Sequence, residues 1–168
     1  AGKTTLLRIV AGILEPTEGA AASRGRPLAL LNAGAGLQPE LSVGDNMELC
    51  GVLLGLLRKE AAERTPEMLA FAGLERLADV RLAELSAGQA ARVTVAAAVH
   101  ADPEVLLIDE VLAVGDAAFQ DRCRDAFMGL RRAGAAILAA THDAAALRVL
   151  CDRVLLLRDG RLVDAQSQ

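Results

Sequence analysis

Between Leu85 and Glu110 the chain changes its structural period, and that change limits what it can fold into. Leu85-Ser86-Ala87-Gly88-Gln89 opens an Ala-rich stretch that is predicted helical over 87–100. Ser86 and Gln89 have the S-x-x-[EQ] spacing of a capping box, the reciprocal pairing that begins many helices. Pro103 then interrupts the helical pattern, and Val105-Leu106-Leu107-Ile108 follows as a continuous apolar run ending in Asp109-Glu110. A short apolar run between such punctuation is a strand covered on both faces, as in a parallel sheet. A buried strand offers nothing to pair two adjacent carboxylates. They must therefore emerge at its C-terminal end, where open α/β sheets bind ligands.

Composition agrees with a helical and buried-strand core. Hydrophobic residues make up 53% of the 168 residues but aromatic ones only 2%, so the core must be built mainly from Ala, Leu and Val. The length suits one domain with a good core. No apolar run reaches the roughly 18–20 residues of a membrane span; the most apolar stretch, 93–99, stops at His100-Ala101-Asp102-Pro103. The chain opens on a Gly-Lys-Thr turn with no signal-peptide pattern. A net charge of -4 without a long basic run weighs against a nucleic-acid partner. Cys50, Cys123 and Cys151 show neither CxxC spacing nor a paired His, which predicts free thiols and suits a reducing cytosol.

Along the chain, helix and strand signals alternate, which predicts an α/β fold. Residues 4–11 read as a helix. Residues 12–25 are loop-rich, with a short strand expected around 20–23, and 28–31 form a buried strand. Gly34-Ala35-Gly36 is a flexible break. From 41 to 82 the pattern is helical, with pieces over 43–54, 59–72 and near 75–80, and it reads as a helical subdomain of about 41–86 inserted into the sheet domain. After the strand 105–109, a helix spans 117–132 with Gly134 past its end, then a strand 135–140 and a helix 144–150. Residues 153–157 and 161–165 make a hairpin around Asp159-Gly160, a favoured turn dipeptide. His100 is read as helix surface.

Gly2-Lys3-Thr4-Thr5 matches the end of a G-x-x-x-x-G-K-[ST] phosphate loop. Gly2 lets the backbone approach phosphate, Lys3 supplies charge to the β and γ oxygens, and the Thr4 hydroxyl is a magnesium ligand. The helix that starts there points free N–H groups and its positive dipole end at an anion. The first four positions of that loop and the strand before it precede residue 1 in the pattern, so the chain is expected to be an N-terminally truncated fragment whose own nucleotide site is incomplete.

With Gly2-Lys3-Thr4-Thr5, Leu85–Gln89 and Val105–Glu110 in this order and spacing, the chain resembles the ATP-binding subunits of ABC transporters over essentially its whole length. The resemblance implies a P-loop NTPase fold of the RecA-like kind, with a mostly parallel sheet core and an inserted helical subdomain. It implies ATP and Mg2+ as cofactors, with Asp109 in the magnesium shell and Glu110 orienting and deprotonating the attacking water. Ser86, Gly88 and Gln89 would face the nucleotide of a second subunit, in a head-to-tail homodimer with two shared sites. His142, in Thr141-His142-Asp143, would be the switch histidine at the γ-phosphate, and Asp116 the Asp that bridges subunits beside the catalytic Glu. The partner would be an integral membrane permease, and the chain would lie peripherally on the cytoplasmic face of the inner membrane.

Two further stretches, 30–42 and 108–123, resemble the exporters of O-antigen, capsule or teichoic-acid chains, which implies a lipid-linked polysaccharide as cargo. Where most ABC ATPases carry a magnesium-ligating Gln after the first described strand, this chain has Ala33 beside Asn32, and Gln38 comes several residues too late. The loop 34–40 is then the candidate for that Gln's signalling task. A non-transport ABC ATPase acting on DNA or ribosomes is the alternative; the coiled-coil inserts, tandem domains and basic patches such proteins carry are not visible here. A fragment that is catalytically inactive as it stands is the third possibility.

Overall fold

The structure, a computed structural model, describes residues 2–31, 34, 36–110, 114–141 and 151–164. Its elements in chain order are α1 (Lys3–Val10), β1 (Pro27–Leu30), α2 (Val43–Leu53), α3 (Arg58–Ala72), α4 (Ala87–His100), β2 (Val105–Asp109), α5 (Ala117–Arg132), β3 (Ala136–Ala140), β4 (Leu155–Arg158) and β5 (Arg161–Asp164). Short 3-10 turns, Glu75–Leu77 and Leu82–Glu84, separate α3 from α4.

β1, β2 and β3 form a parallel sheet in that order, with Leu28 opposite Leu106 and Leu107 opposite Leu138. Parallel neighbours need long crossovers. The one from β2 to β3 is α5, and the one from β1 to β2 contains the whole helical block α2–α4. β2 is central, with Leu106, Leu107 and Ile108 fully buried, which is why it reads as an unbroken apolar run.

Two cores result. One lies within the helical block and joins Val43, Met47, Met68, Leu74, Val93 and Ala97. The other lies under the sheet and joins Leu28, Leu106, Ile108, Val95, Ala98, Phe119 and Phe127. α4 contributes to both, and its residues Ala91 and 93–98 are all buried.

The β4–β5 hairpin is antiparallel and turns on Asp159 and Gly160, both at positive φ as a two-residue hairpin turn requires. Among the described residues β3 pairs only with β2, and β4 only with β5. An apolar cavity of about 600 Å³ lies between them and α1, lined by Leu7, Ile137, Leu138, Leu155, Leu157 and others.

Most predicted elements stand within one or two residues of their expected ends. Residues 20–23 are a correction: they are exposed and carry no strand. A strand needs a ladder partner, and among the described residues no strand pairs with this segment. The piece near 75–80 is a 3-10 turn rather than an α-helix, and a second such turn follows it. His100 is not free surface either. It is half-buried at the end of α4, with Nδ1 2.8 Å from the Ala96 carbonyl and its ring edge-on to Phe71. The expected helix 144–150 lies outside the described residues.

One buried polar residue ties the first loop of the sheet to the helical block. Asn46 is fully buried on α2. Its Oδ1 accepts from the Gln38 amide at 2.7 Å, and its Nδ2 donates to the carbonyls of Gln38 (2.8 Å) and Ser42 (2.9 Å), and more weakly to Leu41 (3.3 Å). Asn46→Ala leaves the Gln38 amide without its acceptor and empties a fully buried side-chain site, while the Gln38 and Ser42 carbonyls keep their backbone donors. It is expected to lower the unfolding free energy by at least about 2 kcal/mol. Urea titration checks this, with a reduced midpoint and an unchanged slope as the expected result.

Candidate functional site at the C-terminal edge of the sheet

The end of β2 and the start of α1 meet at this edge. Gly2 sits at φ 105, a left-handed backbone that glycine adopts without strain, and it turns the chain into α1 against Leu157. Thr4, in the first turn of α1, donates its hydroxyl to Asp109 Oδ2 at 2.5 Å across 105 residues of sequence. Lys3 donates from Nζ to the Thr141 carbonyl at 3.3 Å, just beyond β3. Lys3, Thr4 and Asp109 are half-buried, whereas Gly2 and Thr5 are exposed.

Glu110 follows Asp109 at φ 56 and is exposed, with its amide donating to the Ala140 carbonyl at 2.9 Å. A non-glycine residue in this region is strained and is kept there only by its surroundings. Here the β2–β3 ladder continues one step into Glu110 and holds it while the side chain turns out of the strand. The sequence-predicted Lys3, Thr4, Asp109 and Glu110 are thus carried by the start of α1 and the end of β2, and Lys3 and Glu110 are both tied to the end of β3.

Ser86 and Gln89 form the capping box that their spacing predicts. The Gln89 amide donates to Ser86 Oγ at 3.2 Å, and the Ser86 amide donates to Gln89 Oε1 at 3.0 Å. Ser86, Ala87 and Gly88 are exposed, and a Cβ built on Gly88 meets nothing within 4 Å. The helix start is therefore open to an external group.

Asp116 caps α5. Its Oδ1 accepts from the Phe119 amide at 2.9 Å, and its Oδ2 accepts from Arg92 Nη2 at 2.9 Å. The Phe119 amide first, and Arg92 second, hold this carboxyl below the usual carboxylate range. His142, Asn32, Ala33 and residues 111–113 lie outside the described residues. The main chain of Gln38 is bound by Asn46, as described above.

Sequence reasoning did not single out Arg92, Thr94 or Asn46. Arg92 carried a signal: it is the lone charge in the helix Ala87–His100, amid Ala and Val. Thr94 is buried in the same helix and accepts from the Gly34 amide at 3.2 Å. The thiols stand as expected: Cys50 and Cys123 are buried, Cys151 is half-buried, and all three are free. Burial pushes Cys50 up to about 11 and Cys123 up to about 12.

The profile of a family described as ABC transporter matches residues 1–113. The chain is similar to an O-antigen export system ATP-binding protein of Klebsiella pneumoniae, with 36% identity over 99% of this chain and 68% of that protein. It is also similar to a teichoic acids export ATP-binding protein of Lactiplantibacillus plantarum, with 32% identity over 97% of this chain but only 45% of that protein. Among solved structures, an ATP binding subunit of an ABC transporter superposes with a TM-score of 0.84 at 25% identity, covering 96% of this chain and 72% of that one.

The capping role of Ser86 is separable from any role toward a ligand. Asp is as good an N-cap as Ser, and Ala is poor. Ser86→Ala is expected to cost about 1 kcal/mol of stability, and Ser86→Asp to stay within about 0.5 kcal/mol of the parent. Chemical denaturation of the two variants beside the parent measures both.

Proposed function

Because this chain belongs to the ABC transporter family, we propose that it is the ATP-binding and ATP-hydrolysing subunit of an exporter of lipid-linked polysaccharide. The observation that carries the catalytic part is the Thr4–Asp109 contact of 2.5 Å, with Lys3 and Glu110 on the neighbouring chain ends. Lys3 and the N-terminus of α1 offer positive charge to the phosphates. Thr4 and Asp109 present hard oxygen donors side by side, a set that suits Mg2+, which takes one or two protein oxygens and completes its shell with phosphates and water. When bound, the ion would offset phosphate charge. Glu110, turned out of the strand, is the base that takes the proton of the attacking water. His142 is assigned to the γ-phosphate on the family resemblance alone.

The open helix start at Ser86 and Gly88 supports a second nucleotide contact. An exposed helix N-terminus is an anion site, and here it serves the ATP held by another copy of the chain, in a head-to-tail dimer. The remaining partner is a membrane-embedded permease, with this subunit on its cytoplasmic side. Among the described residues no helix is long and apolar enough to cross a membrane. The O-antigen and teichoic-acid relatives support a surface polysaccharide as cargo. They also favour transport over an ATPase acting on DNA or ribosomes.

The cavity between β3 and β4 supports one statement about the domain: a further strand of the same protein seats there and pairs with both. Extending the chain to complete the phosphate loop, with an apolar strand before it, is expected to raise the thermal midpoint by at least about 4 °C. It should also suppress fluorescence of an apolar-site dye. An unchanged midpoint and undiminished dye binding would count against the strand.

In protein extended in this way, Glu110→Gln is expected to lower turnover at least about a hundred-fold while ATP still binds. ATP should then drive Glu110→Gln protein into dimers, and adding Ser86→Asp should abolish that dimerisation, because a carboxylate repels the facing phosphate while the cap survives. Turnover assays and sedimentation with and without Mg-ATP test the pair. Parent-rate hydrolysis by Glu110→Gln removes the base assignment. An intact ATP-dependent dimer in the Ser86→Asp background removes the shared site.

A further inference from the structure

α4 is buried at Ala91 and over 93–98, but its start projects beyond those residues: Ser86, Ala87 and Gly88 are exposed. Ser86 lies about 7.5 Å along the axis from Ala91 at 1.5 Å per residue. The capping box bonds Ser86 to Gln89. It fixes the shape of the helix start, not its place.

Its place is fixed by the residues before it. Leu82, which opens the 3-10 turn Leu82–Glu84, is buried in the core of the helical block. The Glu84 amide donates to the Arg81 carbonyl at 3.0 Å, and the Leu85 amide donates to the Leu82 carbonyl at 3.0 Å. The turn is therefore closed up to the residue that precedes Ser86.

This turn is clipped to a segment far away in sequence. Residues 39–44 run antiparallel beside 78–83. The Ala83 amide donates to the Pro39 carbonyl at 3.0 Å, and the Leu82 amide donates to the Leu41 carbonyl at 2.9 Å. Ser42 and Arg81 face each other as an isolated antiparallel bridge. The Val43 amide donates to the Val80 carbonyl and the Gly44 amide to the Ala78 carbonyl, both at 2.9 Å. The approach is close: a Cβ on Gly44 would stand 3.3 Å from the Ala78 carbonyl oxygen. Residues 39–44 are themselves held, because Val43 is fully buried and Asn46 bonds the main chain of Gln38, Leu41 and Ser42. Ser86 thus stands between two buried anchors, Leu82 before it and Ala91 after it.

We propose that the turn Leu82–Glu84 is a positioning element for the shared nucleotide contact: clipped to residues 39–44 by the Leu82 and Ala83 amides, it sets where Ser86 and the amides of Ala87 and Gly88 stand. The inference rests on the shared-site reading and deepens it. The turn touches no nucleotide in this scheme. Placing the donors before the partner's ATP arrives removes an ordering cost from dimerisation. Binding of ATP to the chain's own Lys3 and Thr4 gains nothing from it. Loosening the turn therefore weakens the dimer and spares ATP binding.

Ala83 is exposed, so its side chain can be changed without opening the core. Ala83→Pro removes the amide that Pro39 accepts from, and it disfavours the helical backbone of Leu82 before it. Ala83→Ser keeps the amide. In extended protein carrying Glu110→Gln, Ala83→Pro is expected to weaken ATP-driven dimerisation at least about ten-fold. ATP affinity, measured at a concentration too low for dimers, should stay within about two-fold of the parent. Ala83→Ser should dimerise as the parent does. Hydrogen exchange at the Leu82 and Leu85 amides should quicken in Ala83→Pro, with protection over 93–98 and in β2 unchanged. Sedimentation, equilibrium ATP binding and exchange measure these.

Parent dimerisation in Ala83→Pro overturns the proposal. So does an equal loss in Ala83→Ser, which marks a direct contact of position 83 with the partner. A loss of dimer matched by a loss of ATP affinity, or by a thermal midpoint falling below the assay temperature, also overturns it, since those mark a merely structural role. If Ala83→Pro does not fold, Ala83→Gly decides, because glycine loosens the turn while keeping the amide. Parent dimerisation in Ala83→Gly then overturns the proposal, and a weaker dimer at unchanged ATP affinity and midpoint supports it. An extended Glu110→Gln parent that ATP does not dimerise sinks the shared-site reading, and the inference with it. A dimerising parent with an unaffected Ala83→Pro sinks the inference alone.

Discussion

The structure depends on α4 being buried on two sides at once. Val93, Ala96 and Ala97 complete the core of the helical block, and Val95 and Ala98 complete the core under the sheet. A helix with that double duty needs small side chains so that neighbours can approach from both directions, which explains its Ala-rich sequence. It also leaves little freedom to shift, because interiors pack near crystal density and a displacement would open voids on one side while crowding the other. Ser86 at its start is therefore held in a set attitude to the sheet edge that bears Asp109. Its polar exceptions are informative in that light. Thr94 takes the Gly34 amide and Arg92 takes Asp116, so the buried helix is bonded to the segments that follow both β1 and β2.

A parallel sheet brings strand ends of the same polarity to one edge, and that gathers chemistry there. Asp109 and Glu110 are neighbours in sequence yet do different things. Asp109 completes the strand register opposite Ala140 and turns to Thr4. Glu110 leaves the strand through a left-handed backbone. The strain at Glu110 is held by the hydrogen bond that its N–H donates to the Ala140 carbonyl, so the cost of displaying an exposed carboxylate falls on the ladder. Two like charges in succession are tolerable because the backbone sends them to different surroundings.

Elements whose ends are marked by their own residues were legible in the sequence. Helix 87–100 begins at a box made within four residues, strand 105–109 lies between Pro103 and two acids, and helix 117–132 starts at a capping Asp116. Residues 20–23 were misread because a strand is defined by a neighbour, and composition does not reveal whether one is present. Asn46 and Arg92 were missed for the same reason. The loop that Asn46 binds reaches back to Gln38, while the partners of Arg92 lie 20 and 24 positions away. Thr4 was legible although its partner is 105 residues off, because the motifs at both ends carry their chemistry in their residue types. His142 and Ala33, also singled out by motif, lie outside the described residues.

The helix start at Ser86 shows how one short segment serves structure and ligand without conflict. An α-helix begins with four amides that lack intrahelical acceptors. The capping box satisfies two of them, those of Ser86 and Gln89. The amides of Ala87 and Gly88 are the other two, and they sit on the exposed side with no bulk at Gly88 to block approach. Ser86 Oγ is an acceptor within the box, so its hydroxyl hydrogen stays available to an anion. A helix capped in this way is ordered before any ligand arrives, and the donors that remain are the ones aimed outward along the dipole. The box therefore does not compete with a phosphate for the same groups. It fixes the residues that would otherwise have to be ordered on binding, which lowers the entropy cost of the contact.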